Sequence, residues 1–253
     1  MLAYERKQQI LELMRKNGKV VTVDQLCREL YASGATIRRD LKGLEESGLI
    51  RRIHGGAILM EGSSTEDPLI FRENQNSARK QIIAGLAVTR IRNGMTVFLD
   101  SSTTVLALAG LLSRFSGLKV ITNGIKTSMF LSDFPNIQLM CTGGLLRENS
   151  KSLVGLSAME FISRYNADIA FLSCRGFTVE TGASEANEDE YDVKRRFLDN
   201  SKKAVLLCDT SKMGTDYLCK LAPLSEFDEV ITERKEINDL CSRHTRPSLP
   251  LQR

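Results

Sequence analysis

The stretch VFLDSSTTVLALA, Val97 to Ala109, shows how most of this chain is built. An apolar run ends at Asp100, four hydroxyl residues follow, and a helical spacing of apolar residues resumes at Val105. The pattern predicts a buried strand, a loop and a helix. A hydroxyl-rich loop at the start of a helix is suited to hold an anion, because the first backbone N–H groups of a helix are free.

The same unit recurs through the rest of the chain. From Ala78 to about residue 232, short apolar segments rich in β-branched residues alternate with helical patterns. The apolar segments show no strict alternation, which is expected of strands covered on both faces. Such repetition predicts an open, mostly parallel sheet with helices on both sides, and therefore an α/β domain.

Polar or glycine-containing loops follow five of these predicted strands. Ligands of open parallel sheets bind beyond the carboxyl ends of the strands, so we expect one shared pocket for a small anion. Lys212 and Arg147 are its candidate cations, with ordinary surface charge as the alternative. The predicted ligand-binding residues are Asp100, Ser101, Ser102, Thr103, Thr104, Thr122, Asn123, Gly143, Gly144, Arg147, Arg175, Gly176, Glu185 and Lys212.

Two of these assignments have a structural alternative. Ser102 or Thr103 can simply cap the helix that follows, which is the usual task of such residues. Glu185 can bond ligand hydroxyl groups, or it can supply negative charge near the start of the next helix, at Asn187.

The first sixty residues have a different pattern. Helical spacing runs from Tyr4 to Lys16, and Thr22 and Ser33 are predicted to cap a second and a third helix. The segment LIRRIHGGAIL then predicts a hairpin with a glycine turn. Three helices and a hairpin predict a winged helix-turn-helix. Its expected DNA-contacting residues are Ser33, Ala35, Thr36, Arg38, Arg39, Lys42, Arg51, Arg52 and His54.

The distribution of charge supports this interpretation. Residues 1–60 contain 11 lysines and arginines against 7 aspartates and glutamates, while residues 61–253 contain 24 of each. The whole excess of +4 therefore lies in the first quarter of the chain, where contact with a polyanion is expected. Asp40 is expected to be structural, as a cap or as the partner of an arginine.

These residues also carry a resemblance. Ser33 with TIRRDL from Thr36, then Arg52 with HGGA from His54, resembles the N-terminal signature of the DeoR family of bacterial transcription regulators, and the similarity continues to about residue 232. It implies a repressor of a carbohydrate-metabolism operon, which binds double-stranded operator DNA and a phosphorylated sugar effector. SCRGF, from Ser173, departs from the acidic stretch common in the family and leaves the effector open. A homodimer or homotetramer is expected, because one winged helix has a small footprint.

Other functions remain as alternatives. The chain could be a sugar-phosphate isomerase with an appended DNA-binding domain, using a base among Asp100, Glu185 and Glu188. The winged helix could also be a protein-interaction module. Hydrolase triads and zinc sites are disfavoured by the presence of only two histidines, and no nucleotide-binding glycine motif follows a strand. We expect no catalytic residue, no metal and no cofactor.

The expected organisation is a winged helix-turn-helix over residues 1–60, a linker over 61–76, the sensor domain over 77–240 and a flexible tail over 241–253. No apolar run approaches the roughly 18 residues that span a bilayer, and the N-terminus lacks the apolar core of a secretory signal. We therefore expect a cytoplasmic protein without a membrane partner. The six cysteines form no CxxC pair and are expected to be free, buried thiols.

Overall fold

The computed structural model describes residues 3–16, 20–47, 49–59 and 69–246. The contacts within the chain form two compact units, which divide between Phe71 and Arg72. The first half of the predicted linker, residues 61–68, and the last seven residues of the predicted tail lie outside the described ranges.

The N-terminal unit contains three helices and a small antiparallel sheet. In chain order its elements are α1 (Ala3–Lys16), β1 (Val20–Thr22), α2 (Val23–Leu30), α3 (Gly34–Glu46), β2 (Ile50–Ile53) and β3 (Gly56–Leu59). The strand order is β1-β3-β2, so the predicted hairpin is present and gains a third strand that the sequence did not predict.

Local chemistry explains where these elements begin. Thr22 and Ser33 accept hydrogen bonds from the backbone of the first turns of α2 and α3, as predicted. Gly56 is required where β3 pairs with β1, since a Cβ atom there would lie 2.2 Å from the carbonyl oxygen of Val21. The apolar faces of the three helices meet around Leu26, Ile37 and other fully buried side chains, so the unit has its own core.

The C-terminal unit is built on a parallel sheet of six strands, as predicted. Its strands are β4 (Thr96–Leu99), β5 (Leu118–Thr122), β6 (Ile137–Cys141), β9 (Ile169–Leu172), β12 (Ala204–Leu207) and β14 (Glu229–Ile231). The strand order is β14-β12-β9-β4-β5-β6. The helices are α5 (Ser77–Ala87), α6 (Thr103–Ala109), α7 (Ile125–Leu131), α8 (Leu156–Ile162), α9 (Glu188–Asp199) and α10 (Lys235–Ser242).

Helices cover both faces of this sheet. Successive residues of β4 enter different cores: Phe98 packs in one cluster with Phe197 of α9, whereas Val97 packs in the other with Ile83 of α5. This alternation is the period-2 geometry of a strand buried on both sides. Two small antiparallel sheets were not predicted. They consist of β7 (Leu145–Arg147) with β8 (Ser152–Val154), and of β10 (Gly176–Thr178), β11 (Gly182–Glu185) and β13 (Cys219–Ala222).

The structure differs in detail from the sequence analysis near two predicted boundaries. The end of the predicted linker is helical, since α4 (Leu69–Asn74) lies within residues 61–76 and Leu69 is buried. The predicted tail begins too early, because Cys241 lies in α10 with a fully buried side chain. The backbone N–H of Arg246 also donates to the carbonyl oxygen of Phe227 at 2.8 Å, so the chain is held at least that far.

The cysteine expectation holds only in part. All six cysteines are free, but Cys141 is exposed, and Cys27 and Cys219 are half-buried. Cys174 and Cys208 follow neighbouring strands, and their thiols share a hydrogen bond, with the Sγ atoms 3.0 Å apart and no disulfide between them. Of the helices in the described ranges, none is long and apolar enough to cross a membrane.

Candidate functional sites

One face of α3 is exposed and basic. Ala35, Arg38, Arg39 and Lys42 are exposed, while Ile37 and the two leucines of the helix are buried on the opposite face. Because both sets follow the helical period, the amphipathic pattern predicted from sequence is the one observed. Ser33 and Thr36 are engaged in the N-cap, where the Thr36 N–H donates to Ser33 Oγ at 3.2 Å.

The charges around α3 divide into paired and unpaired groups. Arg52 of β2 pairs with Glu45 at 2.6 Å, and its backbone N–H donates to the same carboxylate. This backbone hydrogen bond, and then the guanidinium, lower the pKa of Glu45. Arg38, Arg39 and Arg51 make no ion pair with any residue of the described ranges, and His54 is exposed at the tip of the hairpin.

Asp40 has the structural role that was expected of it. Its side chain is buried within α3, and Arg6 of α1 donates to Asp40 Oδ2 at 2.5 Å. The buried ion pair connects α1 to α3. Because the Asp40 carboxylate is buried and engaged by Arg6, it is not available to contact a DNA base.

In the C-terminal unit, Asp100 connects the ends of two strands. Its buried carboxylate accepts hydrogen bonds from the backbone N–H of Ser102, at 2.8 Å, and of Ser173, at 2.7 Å. Ser173 follows β9, the neighbour of β4 in the sheet. The loop after β5 also packs closely against this site, since a Cβ atom on Gly124 would lie 3.0 Å from Ser101 Cα.

Lys194 of α9 lies at the centre of this group. Its ammonium donates to the carbonyl oxygen of Ser173 at 3.0 Å, pairs with Glu185 and lies 3.6 Å from Asp100 Oδ2. Burial disfavours its charge, but the carboxylates of Glu185, Asp100 and Glu190 outweigh burial and raise the pKa of Lys194. Burial in turn raises the pKa of Glu185, and Lys194 opposes that shift.

Lys212 reaches the same place from the loop after β12. Its ammonium donates to Ser173 Oγ at 3.0 Å and to the carbonyl oxygen of Cys174 at 2.7 Å. We call the group formed by Asp100, Ser173, Glu185, Lys194 and Lys212 the strand-end site. It contains three predicted ligand-binding residues, Asp100, Glu185 and Lys212.

A second set of contacts fixes the β7–β8 hairpin beside the end of β5. The side-chain amide of Asn123 donates to the backbone carbonyl oxygen of Leu153 at 3.1 Å. The backbone N–H of Leu153 donates to the backbone carbonyl oxygen of Asn123 at 2.7 Å. Arg147 pairs with buried Glu190 at 2.8 Å, and Ser152 donates to the same carboxylate oxygen. Burial alone would raise the pKa of Glu190, but Lys194, Ser152 and Arg147 lower it.

Two predicted ligand-binding residues carry buried polar atoms that the protein does not satisfy. Within residues 69–246, Thr104 Oγ1 and Asn123 Oδ1 have no hydrogen-bond partner in the protein. Ser102, in contrast, accepts a hydrogen bond from the Val105 N–H at 3.2 Å and is the cap of α6, as its structural alternative predicted. Buried polar groups are normally hydrogen-bonded, so Thr104 Oγ1 and Asn123 Oδ1 point to a polar ligand or to water.

Other predicted residues do not join the strand-end site. Gly143 and Gly144 form the exposed turn before β7, and Gly176 begins β10. The Arg175 guanidinium lies over the ring of Tyr217, 5.7 Å from its centroid. Thr122 is buried, and its hydroxyl accepts a hydrogen bond from the Gly124 N–H at 3.0 Å.

The segment of residues 72–80, which follows the N-terminal unit in the chain, is attached to the loops of this site. Asn76 Nδ2 donates to Asp209 Oδ1 and to Ser211 Oγ, each at 3.0 Å, and Thr103 Oγ1 donates to the Arg72 carbonyl at 3.4 Å. Lys80 is buried beside the same carbonyl, and burial followed by the charge of Lys212 lowers its pKa to about 8.

Sequence reasoning missed Lys194, Glu190 and the 72–80 segment. In NEDEYDVKRRFLDN, Lys194 and Glu190 are two of many charges, and no local signal separates them from a solvated helix face. The charges were buried by contacts between α9 and segments far away in the chain. Among the described residues, no group of three or more His, Cys, Asp and Glu side chains is placed to hold a metal.

Comparisons with known proteins also divide the chain into two parts. The family described as DeoR-like helix-turn-helix domain matches residues 6–62, and the family described as DeoR C terminal sensor domain matches residues 75–234. The chain belongs to the DeoR family.

Three relatives in this family match over most of their length. The HTH-type transcriptional regulator GolR of Listeria innocua is 38% identical, over 100% of this chain and 99% of its own. The HTH-type transcriptional regulator GlpR of Haloferax volcanii is 37% identical, over 92% and 91%. The glycerol-3-phosphate regulon repressor of Escherichia coli K12 is 32% identical, over 90% of each chain.

All three relatives are named as regulators or repressors. The protein is therefore a DNA-binding transcription regulator and not an enzyme, and the isomerase alternative is set aside.

Proposed function

We propose that this regulator represses a carbohydrate-metabolism operon and that a phosphorylated sugar, bound at the strand-end site, controls its affinity for the operator. The names of two relatives support the metabolic class: the Escherichia coli protein is a repressor of the glycerol-3-phosphate regulon, and a Bacillus subtilis relative, 35% identical, is the repressor GlcR.

The observation that carries the proposal is the state of Lys212. Its ammonium bonds only neutral oxygens, those of Ser173 and Cys174, and no carboxylate of the described residues pairs with it. A phosphate near Ser173 would gain a charge-assisted hydrogen bond there. The unsatisfied oxygens of Thr104 and Asn123 would suit the hydroxyl groups of a sugar.

The 72–80 segment supplies a route from this site toward the DNA-binding unit. Asn76 is bonded to the loop that carries Lys212, and Thr103 is bonded to the carbonyl oxygen of Arg72. A ligand that moves either loop would change the contacts that hold the segment. Control of DNA affinity then requires that the ligand bind one arrangement of the segment more tightly than the other.

The DNA-binding half of the proposal rests on the exposed face of α3. Its residues Ala35, Arg38, Arg39 and Lys42 would enter the major groove, and Arg51 and His54 of the hairpin would contact phosphates. Arg52 would act through its pair with Glu45, by holding the hairpin against α3. We expect a homodimer or homotetramer on repeated half-sites.

The direct test is a gel shift with the full chain on the DNA upstream of its own gene. A panel of sugar monophosphates and glycerol 3-phosphate is added to the specific complex. We expect one compound to change the affinity for this DNA at least tenfold, in either direction. If no compound changes it, the proposed class of effector is wrong.

A matched pair of variants locates the effect. Lys212→Met removes the ammonium at the strand-end site, whereas Lys220→Met removes an exposed ammonium from β13. We expect Lys212→Met to bind DNA as the wild type does but to respond to the effector at least tenfold more weakly. An unchanged response in Lys212→Met would place the effector elsewhere.

A further inference from the structure

Tyr31 lies in the turn between α2 and α3 and is the most exposed of the large hydrophobic residues described in the N-terminal unit. The residue is 97% exposed, against 46% for Val20 and 39% for Ile53. An aromatic ring with this exposure makes almost no contact with its own unit, so packing does not explain the residue.

The backbone at Tyr31 is also unfavourable for a bulky residue. Tyr31 has φ 50° and ψ 43°, the left-handed conformation that ends α2. Its N–H donates to the carbonyl oxygen of Cys27, a bond that any residue with an N–H provides. Glycine or asparagine would close the turn at lower cost, since a tyrosine in this conformation costs about 1 kcal/mol. The fold therefore accepts a strained aromatic side chain and gains no contact from it.

The position of the ring relative to α3 suggests its partner. Tyr31 precedes Ser33, the N-cap of α3, by two residues, and the exposed Ala35 and Arg38 lie in the first turns beyond. In helix-turn-helix proteins, the N-terminal residues of the second helix contact base edges. The turn that leads into that helix then lies at the rim of the groove, where the phosphates run.

We propose that Tyr31 binds the DNA backbone at the rim of the major groove. Its hydroxyl donates a hydrogen bond to a phosphate oxygen, and its ring packs against the adjacent deoxyribose. Tyrosine is among the residues that make such contacts, and these contacts fix orientation without reading sequence. The inference rests on the proposed DNA-facing surface of α3.

The chemistry of this contact differs from that of the arginines. A phenol carries no positive charge, so its contact with a phosphate releases no counterion on binding, and its removal leaves the salt dependence of binding unchanged. A backbone contact also affects every duplex alike. Tyr31 thus strengthens binding to specific and unspecific DNA by the same factor, whereas a base-reading side chain changes their ratio.

The experiment measures DNA affinity of the full chain by fluorescence anisotropy. The probes are the duplex upstream of the protein's own gene and a scrambled duplex of equal length, each at several salt concentrations. Tyr31→Phe removes the hydroxyl alone, and Tyr31→Asn removes the ring and suits the left-handed backbone. We expect Tyr31→Phe to weaken binding about 5- to 10-fold on both duplexes, with an unchanged salt slope and an unchanged Tm. Tyr31→Asn should weaken binding at least as much and raise the Tm.

Two controls separate this inference from the proposed function. Val20→Ala shortens another exposed apolar side chain of the same unit and should leave affinity unchanged. Arg38→Ala tests the α3 surface itself. If Arg38→Ala weakens binding and Tyr31→Phe and Tyr31→Asn do not, the inference about Tyr31 is wrong and the α3 surface stands.

If Arg38→Ala, Tyr31→Phe and Tyr31→Asn all bind DNA as the wild type does, the assignment of the α3 surface to DNA binding is wrong as well. If the Tyr31 variants change only the sedimentation of the protein, the ring belongs to a contact between copies of the chain, and the DNA contact is excluded.

Discussion

The cations of α3 and the cations of the strand-end site differ in what already neutralises them. Arg38 and Arg39 are exposed and make no ion pair within the described ranges. Lys194 is 7% exposed and is surrounded by three carboxylates, those of Glu185, Asp100 and Glu190. An exposed, unpaired charge is available to a partner and contributes little to folding, whereas a buried charge with its counter-ions belongs to the folding balance.

The same distinction separates the two lysines of the strand-end site. Lys194 has its charge compensated by carboxylates, so an incoming phosphate would compete with them. Lys212 bonds to neutral oxygens only, and no carboxylate of the described residues forms an ion pair with it. We therefore expect Lys194 to hold the site together and Lys212 to bind the anion.

The largest effect tests this division through stability. Lys194→Met removes the ammonium, leaves Asp100 and Glu185 buried without their counter-ion, and leaves Glu190 with Arg147 as its remaining cation. Breaking one side of a buried ion pair costs about 3–5 kcal/mol, so we expect the free energy of unfolding of the C-terminal unit to fall by that amount. Urea denaturation followed by circular dichroism measures it.

The matched control is Lys202→Met, in which the lost ammonium is 73% exposed and paired with Asp168. We expect its free energy of unfolding to change by less than about 1 kcal/mol. If Lys194→Met costs no more than this control, the buried cluster is not a folding element and the comparison with α3 fails.

The next effect is on DNA affinity. Replacing Arg38 and Arg39 together with Ala should weaken DNA binding roughly 10- to 100-fold at fixed salt and reduce the salt slope by about 2, while the Tm stays unchanged. Arg114→Ala with Lys119→Ala removes two exposed cations from the C-terminal unit and serves as the control. A loss of self-assembly with normal DNA affinity would instead favour a protein-interaction role for the winged helix.

The smallest effect concerns Lys80 and appears only as a dependence on pH. Its pKa is about 8, below the ordinary value of about 10.4, so the unfolded chain binds more protons between these two values. Stability contributed by Lys80 therefore rises with pH across about pH 8 to 10 and is constant below that window. Relative to Lys80→Met, the wild type should gain about 1–2 kcal/mol from pH 7.5 to pH 10.

The comparison must be made as a difference between the two proteins. Burial raises the pKa of Cys241 to about 11, so this thiol stays protonated when the unfolded thiol ionises, and it costs stability over the same range of pH. Subtracting Lys80→Met removes that shared contribution. Parallel pH profiles of the two proteins would show that Lys80 titrates normally.

Local patterns were sufficient to predict α3 and the six-stranded sheet. The helical period of Ile37, Leu41 and Leu44 and the cap at Ser33 are written in consecutive residues. The order of strands and helices likewise follows from apolar runs and the loops between them. Asp100 and Lys212 could be predicted as neighbours because the carboxyl ends of parallel strands share one edge.

The rest of the strand-end site depends on contacts that no local pattern encodes. Lys194 enters from the middle of a helix, and Glu185 from a small sheet whose third strand, β13, comes 34 residues after β11 ends. Short strands such as β7 and β10, with three residues each, carry too little period to be predicted. The burial of a charge is decided by distant partners, so sequence analysis singled out Glu185 but missed the ammonium that pairs with it.

The separate core of the N-terminal unit has a practical consequence. Among the described residues, every member of that core lies between Ile10 and Ala57, so a fragment that stops soon after Leu59 keeps this packing. Such a fragment would carry the face of α3 but nothing that senses a metabolite. Produced in the cell beside the full chain, it would compete for the same operator without responding to the metabolite.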